Sequence, residues 1–210
     1  GTGIWTRMLA NTGCQNVVAV EPNDDMRSHG KNDSKDLPIV WQNGDGEKTN
    51  LADSSVDLLT MASSFHWVKF EKGVKEFNRV LLPGGRFVAL WNPRLIQVNP
   101  MLIEIEDTLY KMAPNIKRVS SGRAAFTENL MTNLKQCGYF KDVLYLEGKH
   151  VEKQTPEQYL GVWWSVNDIQ VQAGKEIFGN FMEYVTKRVQ NLEYIDATYQ
   201  TRAWTAVKND

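Results

Sequence analysis

Two glycines and a glutamate near the start of the chain could hold a ligand. Gly1 and Gly3 flank Thr2 directly before a predicted helix, and glycines at such a turn let a ligand approach the backbone closely. The exposed N–H groups of the helix start suit an electron-rich group. Glu21 follows the next predicted strand, 18 residues after Gly3, a spacing at which an acidic side chain reaches ribose hydroxyls in nucleotide-binding α/β folds. Together they predict a site for a ribose-bearing ligand.

The elements that must position these residues alternate between helix and strand in the first half of the chain. Continuous apolar runs such as 17–20 fit strands that are buried on both faces, as in parallel sheets covered by helices. The predicted strands are 17–20, 39–41, 56–61 and 86–91, and the predicted helices are 2–11 and 70–80. This spacing indicates βαβ units, and hence an α/β fold with a doubly wound, mostly parallel sheet.

The second half predicts additional helices around two more strands. The predicted helices are 99–112, 127–136, one that begins at 155 and 174–190, and the predicted strands are 139–146 and 199–207. Thr155 and Gln158 have the spacing of a capping box, with Pro156 in the first helical turn. We expect one sheet domain, 1–210, with helical insertions rather than two independent domains.

Composition excludes several classes of protein. The 210 residues are 42% hydrophobic and 23% charged, which is typical of a globular chain. With 24 basic and 25 acidic residues there is no basic excess to hold a phosphate backbone, so we expect no nucleic-acid binding. No apolar run is long enough to predict a membrane span. Cys14 and Cys137 lack metal-ligand spacing, which predicts no metal site, and two isolated thiols suit the reducing cytoplasm.

Several segments together resemble class I S-adenosylmethionine-dependent methyltransferases. The similarity is greatest to the type 11 methyltransferase domain of small-molecule enzymes such as ubiquinone-biosynthesis and trans-aconitate methyltransferases. Gly1-Thr2-Gly3 resembles the tail of that family's glycine-rich motif. The other matching segments, in chain order, are 18–26, 43–47, 56–67 and 77–87. The resemblance implies a cofactor-binding half, 1–92, and helical insertions at 93–122 and 151–191 that shape the pocket for a small-molecule acceptor.

The resemblance also implies which residues bind S-adenosylmethionine and its product, S-adenosylhomocysteine. Glu21 would accept hydrogen bonds from both ribose hydroxyls and Asp45 from the adenine amino group, while Ala62 and Ser63 would lie beside the reactive methyl. The backbone at Gly1 and Gly3 would lie against the methionine part of the cofactor. The implied cofactor-binding set is Gly1, Thr2, Gly3, Glu21, Pro22, Asn23, Met26, Gly44, Asp45, Gly46, Ala62 and Ser63.

The resemblance assigns no catalytic residue, although His66 is a candidate general base because its reference pKa is near neutral. Candidates for the substrate pocket are His66, Trp67, Trp91, Trp163 and Trp164. Each candidate also has a structural alternative: Trp163 and Trp164 could form a lid or pack in a core, and Asp45 could be a turn residue.

Three further residues also have a structural alternative to a functional role. Met26 could belong to a core, and Arg94 and Arg123 could hold an acidic substrate or be solvated at the surface.

Two departures from these patterns leave other functions open. Family members place a strand, ending in an acidic residue, directly before the position of Gly1. We therefore expect this chain to be part of a longer protein and the first strand to be missing from its sheet. The loss of that strand favours a second hypothesis, a nucleoside-binding module without catalysis. A nicotinamide-dependent oxidoreductase is a third, disfavoured because Thr6 stands where that motif needs glycine.

Overall fold

The computed structural model describes residues 1–117 and 125–209, which form two compact units. Unit 1 comprises Gly1–Leu90, Asn129–Tyr145 and Trp204–Asp210, and unit 2 comprises Trp91–Glu128 and Leu146–Ala203. The predicted cofactor-binding half therefore lies almost wholly in unit 1. The predicted insertions lie in unit 2, except that 118–122 fall outside the described residues.

Unit 1 begins with a helix, a strand, a helix and a strand. These are α1 (Ile4–Asn11), β1 (Val17–Val20), α2 (Asp24–Asp33) and β2 (Ile39–Gln42). β1 and β2 are parallel, with Val17 opposite Ile39 and Val20 opposite Gln42. The predicted strand 17–20 is thus confirmed, and Gly13, with φ of 97°, follows α1. One side of α1 is open to solvent, since Ile4 is 69% exposed and Met8 is 55% exposed.

A second βαβ unit follows, formed by β3 (Val56–Ala62), α3 (Phe70–Val80) and β4 (Leu81–Trp91). β3 and β4 are also parallel. The predicted helix 70–80 is confirmed, and its apolar face is buried: Val74 and Phe77 are each 1% exposed. β4 begins five residues earlier than predicted. Its register with β3 shifts between Leu81 and Arg86, since Val56 pairs with Leu81 and Leu58 pairs with Arg86.

The described strands form two sheets rather than one. One is the pair β1-β2, and the other has the order β3-β4-β6-β5, where β5 is Phe140–Gln154 and β6 is Ile195–Lys208. α1 nevertheless contacts the second sheet, because Trp5 Nε1 donates a hydrogen bond of 2.9 Å to Thr60 Oγ1 of β3.

Aromatic rings form the core of unit 1. The Phe65 ring lies 5.3 Å from both the Phe77 and the Phe87 rings, and the Phe87 ring stacks on Phe140 at 5.7 Å. These rings join the segment after β3, helix α3 and strands β4 and β5. The core therefore fixes the end of β3 against α3, which positions the loops that follow the strands.

Unit 2 is mostly helical. Its helices are α4 (Pro100–Met112), α5 (Ala125–Glu128), α7 (Pro156–Trp164) and α8 (Asn167–Val189), while α6 (Leu130–Gln136) lies in unit 1. The capping box at Thr155 and Gln158 is confirmed. The predicted start of a helix at Gly174 is wrong: α8 begins at Asn167, and Gly174, with φ of 76°, is a break inside it. The predicted helix 127–136 is two short helices, followed by Gly138 with φ of 77°.

None of the helices in the described residues is both long enough and apolar enough to span a lipid bilayer.

Candidate active site

Glu21 lies against the glycine-containing turn that begins the chain. Its Oε1 accepts a hydrogen bond of 2.8 Å from the backbone N–H of Asn23, and its Oε2 pairs with the terminal amino group of Gly1. The Glu21 side chain is only 13% exposed. Its backbone N–H donates to Gln42 at 3.2 Å, which places Glu21 at the end of β1 that adjoins the end of β2. Glu21 thus lies at the carboxyl end of a parallel strand pair, where ligands bind in open α/β sheets.

Gly3 is required by the packing of the protein itself. Its φ is 80°, which disfavours any residue with a Cβ atom, and such an atom would lie 2.6 Å from the ring of Trp41. Trp41 in β2 is held by a 2.9 Å hydrogen bond from its Nε1 to Ser34 Oγ, and its ring also fills the space beside Gly30. Sequence reasoning predicted that Gly3 admits a ligand. The structure adds a second requirement, the close approach of an indole ring.

The start of α2 presents an exposed methionine beside Glu21. The side-chain oxygen of Asn23 caps the helix by accepting a 2.9 Å hydrogen bond from the backbone of Met26. Met26 is 47% exposed, so it does not belong to a core. Arg27 donates to the backbone oxygen of Glu21 at 2.8 Å, which ties the helix to the end of β1. Pro22 is exposed between them.

The loop after β2 contains Asp45 in a tight turn. Asp45 Oδ1 accepts hydrogen bonds from the backbone of Glu47 at 2.7 Å and of Lys48 at 2.8 Å. A Cβ atom at Gly44 would lie 2.6 Å from the Thr49 carbonyl oxygen, so this position also needs glycine. The turn chemistry proposed as an alternative for Asp45 is therefore present, and it uses one of the two carboxylate oxygens.

The same loop contacts the ends of two strands. A Cβ atom at Gly44 would lie 2.9 Å from a methyl group of Val20 in β1, and one at Gly46 would overlap Val68, which follows β3. Glu47 Oε1 accepts a 3.2 Å hydrogen bond from the backbone of Lys69. The loop after β2 is thus packed between the end of β1 and the segment after β3.

Sequence reasoning missed a buried carboxylate that anchors this loop. Glu76 in α3 is 9% exposed, and its Oε1 accepts hydrogen bonds from the Thr49 backbone at 2.8 Å and from the Thr49 hydroxyl at 2.5 Å. Arg79 donates to both oxygens, at 2.7 and 2.8 Å, and also pairs with Asp53. The bonds from Arg79, together with those from Thr49, lower the pKa of Glu76 to about 2.

One signal could have revealed this residue. Glu76 is three residues from Gly73 and four from Val80, both buried, so it lies on the apolar face of an amphipathic helix. A carboxylate at such a position must be paired within the protein, because an isolated buried charge is very costly.

The end of β3 carries the remaining cofactor candidates of unit 1. Ser63, directly after Ala62, has φ of 49°, and its backbone donates to Leu90 at 2.8 Å. A non-glycine residue in this region is strained, and such strain is common at functional sites. His66 is half-buried, and burial lowers its pKa, so the imidazole is uncharged at neutral pH. Trp67 is 77% exposed, with its ring 4.8 Å from that of His66.

The tryptophans of unit 2 differ sharply in burial. Trp163 is 3% exposed and packs edge-to-face on Phe181 at 4.9 Å, so it is a core residue, as one of its two alternatives predicted. Trp164 is 55% exposed and meets Phe178 edge-to-face at 5.2 Å. Trp91 is 1% exposed, which is the burial of a core residue rather than of an open pocket wall. Adjacent residues 163 and 164 therefore have different environments.

Of the two arginines proposed to hold an acidic substrate, only Arg94 lies within the described residues. The Arg94 guanidinium lies 5.5 Å from the centre of the Tyr159 ring, a cation–π contact, and its backbone bridges to Tyr199. Arg123 lies outside the described residues.

Unit 2 also contains an open groove of about 620 Å³ that sequence reasoning did not predict. It is lined by Asn92, His150, Glu152, Lys153, Gln154, Gln158, Gly161, Val162, Ser165 and Tyr199. The His150 and Tyr199 rings are stacked at 5.4 Å, and Gln154 Nε2 donates to the Tyr199 hydroxyl at 3.2 Å. The groove is thus mostly polar and contains part of the segment 151–191.

Comparison with known proteins agrees with this geometry. Residues 1–89 match the family model described as a methyltransferase domain. An uncharacterized methyltransferase of Mycobacterium tuberculosis (strain H37Rv) is 39% identical over 95 residues, or 45% of this chain. The chain spans 37% of the length of that relative.

Two further matches extend the comparison. The ubiquinone/menaquinone biosynthesis C-methyltransferase of Rubrivivax gelatinosus is 34% identical over 91 residues, which is 43% of this chain and 36% of the relative. The solved structure of an Anaeromyxobacter dehalogenans protein assigned as a type II methyltransferase superposes on all of this chain and 86% of that one, with a TM-score of 0.66 and 18% identity. The chain therefore shares the fold of that solved structure, and its residues 1–89 are similar to the methyltransferase domain family.

Proposed function

We propose that this protein is an S-adenosylmethionine-dependent methyltransferase that acts on a small molecule. The observation that carries the proposal is the contact of the poorly exposed Glu21 carboxylate with the backbone N–H of Asn23 at the start of α2. This contact lies at the carboxyl end of β1, beside the loop that contains Asp45. The family match over residues 1–89 supports the same conclusion.

The described residues fit the chemical groups of the cofactor. Each carboxylate oxygen has two lone pairs, so Glu21 can accept from a ribose diol in addition to its present bonds. The turn at Asp45 uses Oδ1, which makes Oδ2 the atom that would accept from the adenine amino group. The exposed side chain of Met26 offers a soft apolar surface to the adenine ring. We assign Ala62 and Ser63, at the end of β3, to the reactive end of the cofactor.

The chemistry requires little covalent help from the protein. S-adenosylmethionine, when bound, supplies a methyl group on a positively charged sulfur. The chain must bring the acceptor atom close to that methyl and exclude water. The uncharged imidazole of His66 would take the proton that a hydroxyl or amine acceptor releases.

We infer that the acceptor is a small molecule because a relative is a ubiquinone/menaquinone biosynthesis C-methyltransferase. The segments 93–122 and 151–191 are the proposed acceptor determinants. The groove lined by α7, β5 and Tyr199 supports an acceptor with polar groups. A benzoquinol is therefore a rational first member of a test panel, followed by small hydroxy and carboxylic acids.

Calorimetric titration with S-adenosylhomocysteine tests the proposal, with NAD as the competing ligand. Glu21→Gln should weaken S-adenosylhomocysteine binding by about 1.5–3 kcal/mol, because the charge-assisted bonds to the ribose hydroxyls are lost. Asp25→Asn is the matched control, since this exposed residue in the first turn of α2 also carries one negative charge. Equal affinity of the wild type and the Glu21 variant would remove Glu21 from the site. Tight binding without a one-methyl mass shift on any acceptor would favour a binding module instead.

A further inference from the structure

We propose that Glu76 is a positioning residue for cofactor binding: it holds the loop 43–50 in the conformation that presents Asp45 to adenine. The inference rests on the proposed function, since it concerns the same nucleoside site. Glu76 itself belongs to α3 and contacts the loop from behind, through Thr49.

A short chain of contacts links Glu76 to Asp45. The carboxylate of Glu76 accepts from both the backbone and the hydroxyl of Thr49. The carbonyl oxygen of Thr49 accepts a 2.8 Å hydrogen bond from Gln42 and lies close against Gly44. The backbone of Asp45 then donates to the carbonyl oxygen of Lys48 at 3.0 Å. A displacement of Thr49 would therefore move both sides of the turn that carries Asp45.

Helix α3 and the residue before it also contact the other side of the loop 43–50. Glu47 Oε1 accepts from the backbone of Lys69, which precedes α3, and Glu47 Oε2 pairs with Lys72 Nζ at 3.1 Å. These contacts are more exposed than those of Glu76, and exposed ion pairs contribute little. The buried bonds to Thr49 are therefore the stronger of the two attachments.

The burial of Glu76 indicates that its hydrogen bonds with Thr49 have a role beyond stability. A buried carboxylate pays a desolvation cost that an apolar residue would avoid, and replacing such pairs by apolar residues is often neutral or stabilising. The neighbours of Glu76 on the same helix face, Gly73 and Val80, are buried and carry no charge. What the carboxylate adds over an apolar residue is a fixed direction for Thr49.

The test compares Glu76→Gln with a control on the same helix, Val74→Ala, which removes buried apolar volume. Both variants are titrated with S-adenosylhomocysteine at a temperature where both are folded. We expect the dissociation constant of Glu76→Gln to rise about tenfold or more, the equivalent of one lost charge-assisted bond. Val74→Ala should lower the melting temperature but leave the affinity unchanged. A purely structural role for Glu76 would make the two variants alike.

A second variant and a second measurement keep the test decisive if Glu76→Gln does not fold. Thr49→Val removes one of the two bonds to Glu76 with little change of shape, and it should raise the dissociation constant by a smaller factor. Hydrogen exchange without ligand should show faster exchange of the Thr49 amide in Glu76→Gln. Unchanged affinity in the Thr49 and Glu76 variants would overturn this inference alone. Failure of the wild type to bind S-adenosylhomocysteine would instead overturn the proposed function, and this inference with it.

Discussion

Acid should remove a defined part of the stability of this protein through Glu76. The pKa of this carboxyl is lowered from 4.5 to about 2 on folding, first by its bonds with Arg79 and then by those with Thr49. At 1.36 kcal/mol per pKa unit, this difference corresponds to about 3 kcal/mol of the free energy of unfolding. Glu76 is 9% exposed, but its main partner Arg79 is 35% exposed, so solvent screens part of this interaction and about 3 kcal/mol is its upper limit.

The sign follows from which state binds the proton more tightly. Because the folded state holds Glu76 ionised, the contribution is complete above about pH 4.5 and is lost as the pH falls towards about 2. At pH 3 the unfolded chain is mostly protonated at this position and the folded protein is mostly not. The two-pKa linkage relation then gives a loss of roughly 2 kcal/mol between pH 7 and pH 3.

Urea unfolding of the wild type and of Glu76→Gln, at several pH values from 7 to 3, measures this contribution. Other carboxyls titrate in both proteins, so the difference between the two free energies of unfolding isolates Glu76. That difference should shrink by roughly 2 kcal/mol on going from pH 7 to pH 3. Glu71→Gln, an exposed carboxylate in the first turn of the same helix, controls for the loss of one charge. A difference that stays constant over this range would refute the reasoning.

Two further predictions concern packing. Gly3→Ala should destabilise the protein by at least about 1 kcal/mol, because φ of 80° is unfavourable with a Cβ atom and Trp41 occupies the space. Thermal unfolding measures this loss of stability. An unchanged melting temperature would contradict the observed packing. Trp163→Ala should cost about 3–5 kcal/mol in urea unfolding, since the ring is buried against Phe181, whereas the exposed Trp164→Ala should cost clearly less. Equal losses of stability in the two variants would contradict the difference in burial between Trp163 and Trp164.

Elements defined by local signals were predictable from the sequence. Strand 17–20 is bounded by turn residues, and helix 70–80 is followed by a proline and two glycines at 83–85. Both elements have the predicted limits. The capping box at Thr155 was equally predictable, because its two residues act within one helical turn. These signals need no information about the rest of the chain.

Elements defined by distant contacts were not predictable. Glu76 and Thr49 are 27 residues apart, and only the folded chain shows that they share a hydrogen bond. Trp163 and Trp164 are adjacent and chemically identical, yet the packing of α8 decides which of them is buried. Gly174 has the positive φ of a helix terminus, so sequence alone did not distinguish a break inside α8 from its beginning.

The glycines of the candidate site have a structural role in addition to the one that the sequence motif predicted. Gly3, Gly44 and Gly46 were assigned to the cofactor because they leave the backbone accessible. In the structure, each of them is needed to let a neighbouring part of the protein approach, namely Trp41, Thr49 and Val68. Glycine at these positions is therefore evidence for closely packed loops. The proposal of a nucleoside site rests instead on Glu21, a poorly exposed carboxylate at the carboxyl end of β1.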